Sequence, residues 1–380
     1  MIKKEAIRLV HLWLGMISGL IISLICISGA VFVFAEEIMH AYNKQYLYVT
    51  PEVEKKPVDQ LLNAYRVQFP DEEYYWLNTY NNPARSYNVV SGIPSDKGSG
   101  HDVRLKLTFI NPYSGNVIGK DISSAHFLYL VAHFHSELLL GNFGLWVIRI
   151  ATVIFLIELI LGLILWWPTN KNKIKSAFKP THKPSSRFIY DLHNVYGFYA
   201  LWFLLISVST GLIITFEWVE KPVLSTFGGS SELVGKQVPH PPIKADKTFV
   251  SDQFIYEEFE REYPEGHKLT FMALYPDSMV TSQFIIVDKD KHFLHLYGDH
   301  MVIDRYTGKQ STVPKIDAFE KNQDINETVM NLHTGNIGGW PVKLLALIIA
   351  LFGASLPVTG FLMWWRSRKE KSNLRKELDI

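Results

Sequence analysis

Apolar and polar stretches alternate along the chain on a scale that sets the architecture. A bilayer's hydrocarbon core takes about 20 consecutive apolar residues to cross. Four runs reach that length: roughly Leu12–Phe34, Leu145–Trp167, Val195–Phe216 and Val342–Trp365. Long polar segments, roughly 41–125 and 220–326, separate the first run from the second and the third from the fourth. A short basic connector joins the second to the third. Each polar segment opens on an amphipathic helical pattern, VDQLLNAYRVQFP in one and SDQFIYEEFEREYP in the other. Strand patterns follow and end on a turn, PYSG at 112–115 and YTG at 306–308, where glycine supplies the positive φ. Four membrane helices and two small α+β units are expected.

Charge orients this plan. Lys3, Lys4 and Arg8 precede the first run. The connector carries Lys171, Lys173, Lys175, Lys179, Lys183 and Arg187, and Arg366, Arg368, Lys369, Lys371, Arg375 and Lys376 follow the fourth. Cytoplasmic loops collect Lys and Arg, so both termini and the connector are expected in the cytoplasm, with the polar segments on the other side. The first run exceeds a signal-peptide core and no A-x-A site follows, so it reads as a retained helix. The resulting division is 1–40 (first helix), 41–125 (outer unit), 126–168 (boundary segment and second helix) and 169–187 (connector). It continues with 188–219 (third helix), 220–326 (outer unit), 327–366 (boundary segment and fourth helix) and 367–380 (tail).

The net charge of +1 over 380 residues gives no electrostatic case for nucleic acid. The single cysteine, Cys26, lies inside an apolar run, which excludes a disulfide framework and a thiolate metal site. Metal chemistry would have to come from the 14 histidines and the carboxylates.

The helical runs repeat. His11 and His193, Gly15 and Gly197, Ser28-Gly29 and Thr210-Gly211, and Phe34 and Phe216 share one offset. His135 and His333, Ser136 and Thr334, Gly141 and Gly339, Gly162 and Gly360, Trp166 and Trp364, and Trp167 and Trp365 share a second. Apolar composition would supply chance Leu and Ile matches, but not His, Gly and Trp in register, so the chain reads as an internal tandem repeat.

Topology sorts the four repeated histidines into two pairs. His11 and His193 fall at the inner boundary, and His135 and His333 at the outer one. Paired imidazoles on facing helices are what a bis-histidine haem requires, and a bundle supplies its apolar slot. Two haems, one per face, would carry electrons across the roughly 30 Å core. Gly15, Gly197, Gly141 and Gly339 are expected to clear room for the flat macrocycle. His133 lies about 200° around a helix from His135 and aligns with Asn331, so it reads as an interfacial polar residue. The plainer reading of a boundary histidine is capping or snorkelling. Two imidazoles per face would leave zinc or copper short of ligands, and proton relays enlist acids at the midplane. Arg149 and Glu158 lie inside the second run. Arg149 would snorkel or meet a haem propionate, and Glu158 has no assigned role. The tryptophan pairs read as interface anchors. His40 and His126 are reserve ligands, and HFLHLYGDH at 292–300 reads as strand and turn.

Several motifs resemble those of the PepSY-associated transmembrane proteins, iron-regulated inner-membrane proteins that include ferric-siderophore reductases. They are HLWLG (11–15), ISGAVFVFAEE (27–37), HSELLLGNFG (135–144), LILWWP (163–168), DLHNVYG (191–197), STGLIITFEW (209–218), NLHTGNIGG (331–339) and GFLMWWR (360–366). INPYSGNVIG (110–119) is similar to the closing strand turn of a PepSY unit. The resemblance implies a four-helix membrane core, two periplasmic PepSY-like domains, b-type haem and reduction of ferric chelates. It puts His11, His135, His193 and His333 at the family's histidine positions as iron ligands. The family's arginine after the second glycine of G..G is replaced here by Leu145 and Trp340.

A di-haem membrane reductase of a ferric siderophore or other Fe(III) chelate is therefore the expected function. No individual catalytic residue is assigned. The alternative is a non-enzymatic membrane protein whose outer domains bind or regulate a periplasmic protein. Four helices offer little room for a transporter's guarded pathway. Neither a dinucleotide fingerprint nor a P-loop is present, and the cytoplasmic parts are short, so a quinol or a separate reductase is expected as electron donor.

Overall fold

The computed structural model describes residues 4–94, 103–168, 177–180, 186–236, 242, 247–262, 269–273, 282–288, 299–312 and 314–377. In chain order the helices begin with α1 (Lys4–Phe32), α2 (Ala35–Tyr42), α3 (Val58–Gln68), α4 (Ser123–Glu137), α5 (Gly141–Trp166) and α6 (Ser186–Asp191). They continue with α7 (Gly197–Thr215), α8 (Glu217–Thr226), α9 (Asp252–Glu262), α10 (Ile316–Thr334) and α11 (Gly339–Glu377). The strands are β1 (Glu73–Tyr80), β2 (Tyr87–Pro94), β3 (Val103–Ile110), β4 (Val117–Asp121), β5 (Leu269–Ala273), β6 (Ser282–Asp288) and β7 (Asp299–Asp304). Two compact units result, one from residues 1–33, 131–215 and 332–380, the other from 34–130 and 216–331.

The first unit holds four helices long and apolar enough to cross a membrane, Lys4–Phe32, Gly141–Trp166, Arg187–Thr215 and Asn336–Glu370. α1 packs on α5 and α11, and α7 packs on the same two, closing a ring of four. Ile22 is 3% exposed inside that ring, while Leu20 on the same helix is 72% exposed. Apolar side chains on both faces are the signature of a helix solvated by lipid. A wide π-type turn, Leu192–Tyr196, joins α6 to α7.

The boundary segments depart from continuous helix. Between α4 and α5 the chain turns through left-handed Leu138, Leu139 and Gly141, with φ of 54°, 58° and 57°. Gly335 and Gly339, with φ of 78° and 62°, make the corresponding break between α10 and α11. Gly144 lets the returning helix pass, since a Cβ there would meet the Glu137 carbonyl oxygen at 1.7 Å.

The second unit is built on one antiparallel sheet, ordered β4-β3-β2-β1-β5-β6-β7. Two separate α+β units were expected, but the polar segments join through β1 and β5, Leu77 opposite Met272 and Asn78 opposite Phe271. Pairing these strands removes two open sheet edges at once. Side chains alternate across the sheet with a period of two. On one face Leu77, Val89, Ile110, Met272 and Ile303 share a core with Leu61, Leu62 and Tyr65 of α3 and Ile255 and Phe259 of α9. On the other, Trp76 and Val302 meet Ile316 and Phe319 of α10.

The two helices cap each other, since Gln253 accepts from the Val58 amide at 2.5 Å and Asp59 from the Gln253 amide at 2.9 Å. Both expected turns form, with Gly115 at φ 77° and Gly308 at φ 69°. Each glycine amide donates to a carbonyl four residues back, that of Asn111 at 2.9 Å and Asp304 at 2.8 Å. The side chains of Asn111 and Asp304 in turn accept from the amides of Tyr113 and Tyr306.

An ionic cluster is buried among the described residues of this unit. Lys106, 2% exposed, pairs with Glu72, which also accepts from Tyr65 at 2.6 Å and Ser91 at 2.9 Å. Burial pushes the Glu72 carboxyl up, but hydrogen bonds from Lys106, Tyr65 and Ser91 outweigh it and hold the group below its usual value. Burial pulls the Lys106 ammonium down.

Candidate functional site

The four repeated histidines all belong to the membrane unit, and they meet two by two. His11 and His193 have ring centroids 6.3 Å apart at 73° between planes. His135 and His333 have centroids 6.1 Å apart at 65°. His11 lies in the first half of α1 and His193 in the π-type turn before α7, at the end of the bundle that carries the basic connector. His135 and His333 occupy the last turns of α4 and α10.

Three of the rings are fixed by one local device, a hydroxyl followed directly by glycine on a neighbouring helix. Ser28 lies 3.1 Å from Nδ1 of His135, Thr210 2.9 Å from Nδ1 of His333, and Thr359 2.9 Å from Nδ1 of His193. Each hydroxyl donates its own proton to a carbonyl one turn back, that of Leu24, Ile206 or Ser355. It is then left to accept from the imidazole. Carbonyls of Ile25 and Ser207 also lie 2.9 Å and 3.0 Å from Nδ1 of His135 and His333. A carbonyl only accepts, so Nδ1 carries the proton in both rings and Nε2 keeps its lone pair.

The glycines bring the rings close. A Cβ at Gly29 would stand 3.0 Å from Cε1 of His135, and at Gly211 3.4 Å from Cε1 of His333. At Gly360 and Gly162 it would stand 3.3 Å and 3.7 Å from Cε1 of His193 and His11.

His11 is held differently. Its Nδ1 lies 2.7 Å from Oε2 of Glu158, off the ring N–H line. Glu158 is 7% exposed, and its Oε1 is buried with no hydrogen-bond partner among the described residues. Gly15 leaves space for this carboxylate, since a Cβ there would come 3.3 Å from Oε2.

These contacts correct the expected role of the glycines. Gly15 faces Glu158, and Gly197 faces Leu356. Gly141 and Gly339 have open space where a Cβ would go and serve the left-handed breaks. The glycines against the rings are Gly29, Gly162, Gly211 and Gly360, known from sequence only as repeated positions. Thr359 and the role of Glu158 were missed. A serine or threonine directly before a repeated glycine was the available signal for Thr359.

Other candidates resolve as follows. His133 pairs with Glu137 one turn on, at 2.5 Å, away from the ring of His135. Arg149 donates to the Thr215 carbonyl at 2.5 Å and so covers the end of α7. Trp166 stacks on Phe198, centroids 3.7 Å apart, whereas Trp167 and Trp365 are exposed. His40 lies on α2, and His126 stacks on Tyr129 in the other unit. His292 and His295 lie outside the described residues, and His300 lies on β7, paired with Ile286 of β6. Among the described residues no three or more His, Cys, Asp or Glu gather as a metal cage.

A family model described as the PepSY-associated TM region matches residues 8–367, nearly the whole chain. No curated protein matches the chain.

Proposed function

The chain belongs to the PepSY-associated TM family, and on that premise we propose that it is an inner-membrane oxidoreductase. Electrons would pass through two b-type haems, one per histidine pair, to a periplasmic ferric chelate, with siderophore-bound iron as the expected substrate. The observation that carries this reading is the spacing of the paired rings. An imidazole nitrogen sits about 2.0–2.1 Å from a transition metal and about 1.1 Å from its own ring centre, so two rings on opposite sides of one metal would have centroids about 6.2–6.4 Å apart. The observed separations are 6.3 Å and 6.1 Å. Nδ1 is hydrogen-bonded in three of the rings and faces Glu158 in the fourth, which leaves Nε2 as the nitrogen available to a metal. Two ligands per site suit a haem, whose macrocycle supplies the other four, better than a bare divalent ion.

When bound, a bis-histidine haem supplies one-electron transfer without moving atoms. The protein's own part is positional. Ser28, Thr210 and Thr359 fix the tautomer and tilt of their rings, and the helix glycines admit those rings at contact distance. Along α1, His11 and Gly29, the seat of His135, are eighteen residues apart, roughly 27 Å of helix at 1.5 Å per residue. The two pairs thus stand near opposite ends of the hydrocarbon. The basic termini and connector favour the His11–His193 pair facing the cytoplasm, where a quinol or separate reductase would deliver electrons. At the far end, an added electron lowers iron's charge from three to two, which weakens hard oxygen ligands and frees the metal.

A pyridine haemochrome assay on purified protein tests this. Two b-type haems per chain are expected, with reduction of ferric chelate added on the periplasmic side. No haem absorbance after expression with ample haem, or no ferric-chelate reduction together with an undiminished cellular function when all four histidines are changed to Ala, would leave the non-enzymatic binding role instead.

A further inference from the structure

The inner pair differs from the outer pair in charge. Three rings meet a neutral hydroxyl at Nδ1, and the fourth, His11, meets the carboxylate of Glu158. The difference is written into the helices that hold the rings. α11 has Leu356 and Thr359, whereas α5 at the repeat-equivalent positions has Glu158 and Leu161. One helix thus presents a hydroxyl one residue before its glycine, and the other an acid one turn earlier.

A threonine at 161 would satisfy an imidazole N–H at no charge cost, as the same residue type does for His193 and His333. A carboxylate within a membrane helix is costly. Here its second oxygen is buried without a partner among the described residues, so the acid does more than complete a hydrogen bond. Its contact with Nδ1 lies off the ring N–H line, and a negative charge at 2.7 Å acts on the ring without good alignment.

We propose that Glu158 is a positioning residue that makes the His11–His193 site the stronger reductant of the two. This inference rests on the haem reading above. A carboxylate behind a metal-bound imidazole raises its basicity and favours the more positive, oxidised state of the metal, lowering the reduction potential. An electron given up at the inner pair and taken up at the outer pair then moves downhill, no atom or proton changing place. Direction is built into the bundle by one side chain.

The test is a spectroscopic redox titration of purified, haem-loaded protein. The wild-type chain should titrate in two steps. Glu158→Gln keeps the shape and removes the charge. It should raise the lower step by at least tenfold in the reduction equilibrium, which is 59 mV for one electron, and leave the upper step in place. A second variant, Glu158→Leu with Leu161→Thr, rebuilds the pattern of α11 and should raise the same step while retaining both haems. Both steps unmoved in both variants would overturn the proposal and leave the haem reading intact. So would loss of one haem in both variants, which would reduce Glu158 to a structural support. Absence of haem from the wild-type protein would sink the functional reading itself.

Discussion

Gly29 is the tightest of the four ring seats, with Cε1 of His135 at 3.0 Å from any added Cβ. Gly29→Val should therefore push that imidazole off its hydroxyl and, on the haem reading, lower haem content from two per chain to one, read by haemochrome. On the haem reading, His133→Ala should leave both haems in place, because the His133 imidazole pairs with Glu137 one turn on. The buried ion pair of the second unit carries a pH signature. Glu72 is held below its ordinary value when folded, so its contribution is fully present above the unfolded carboxylate value, about 4.3, and is lost as pH falls through the lower folded value. The unfolding temperature of the whole protein in detergent should fall over that acid window. Lys106→Met should cost about 3–5 kcal/mol by leaving Glu72 buried without its cation, and should remove that acid dependence. Side chains of this kind were unevenly legible. The histidines stood out because four of them kept register across two offsets. Thr359 and Glu158 did not, because the repeat itself is broken there, with Leu161 and Leu356 at the equivalent positions.

Helices and strands follow the apolar pattern where the pattern is long. The four membrane helices begin and end within a few residues of the expected runs except where α1 and α11 extend into their basic flanks. The breaks before α5 and α11 are another matter. Leu138 and Leu139 have no propensity for left-handed backbone, so nothing local in HSELLLGNFG announces them. They are held there by the return of α5 across the end of α4, for which Gly144 is required. Leu138→Gly should relieve a left-handed cost of about 1 kcal/mol and raise the unfolding temperature. Gly144→Ala should do the reverse and more strongly, since the added methyl meets backbone that has nowhere to go. Differential scanning measurements on the two variants would give opposite signs.

Across the whole molecule, pairing is what the sequence leaves unspoken. An unsatisfied strand edge carries no mark of its partner, and β1 and β5 lie about 190 residues apart. Together with α1 on α11, that pairing joins the halves in both units. A chain cut between Trp167 and Ser186 and expressed as two pieces should therefore co-purify as a complex from detergent, whereas two independent halves would separate. The ring pairs impose a stricter condition. The first half supplies His11 and His135, the second His193 and His333, so each pair draws one member from each half. Two separate half-chains would have to meet in the membrane before either pair could close, and assembly would fall steeply at low abundance. With both halves on one polypeptide the tether sets the local concentration. Pairing of the rings is then independent of how much of the protein the membrane holds.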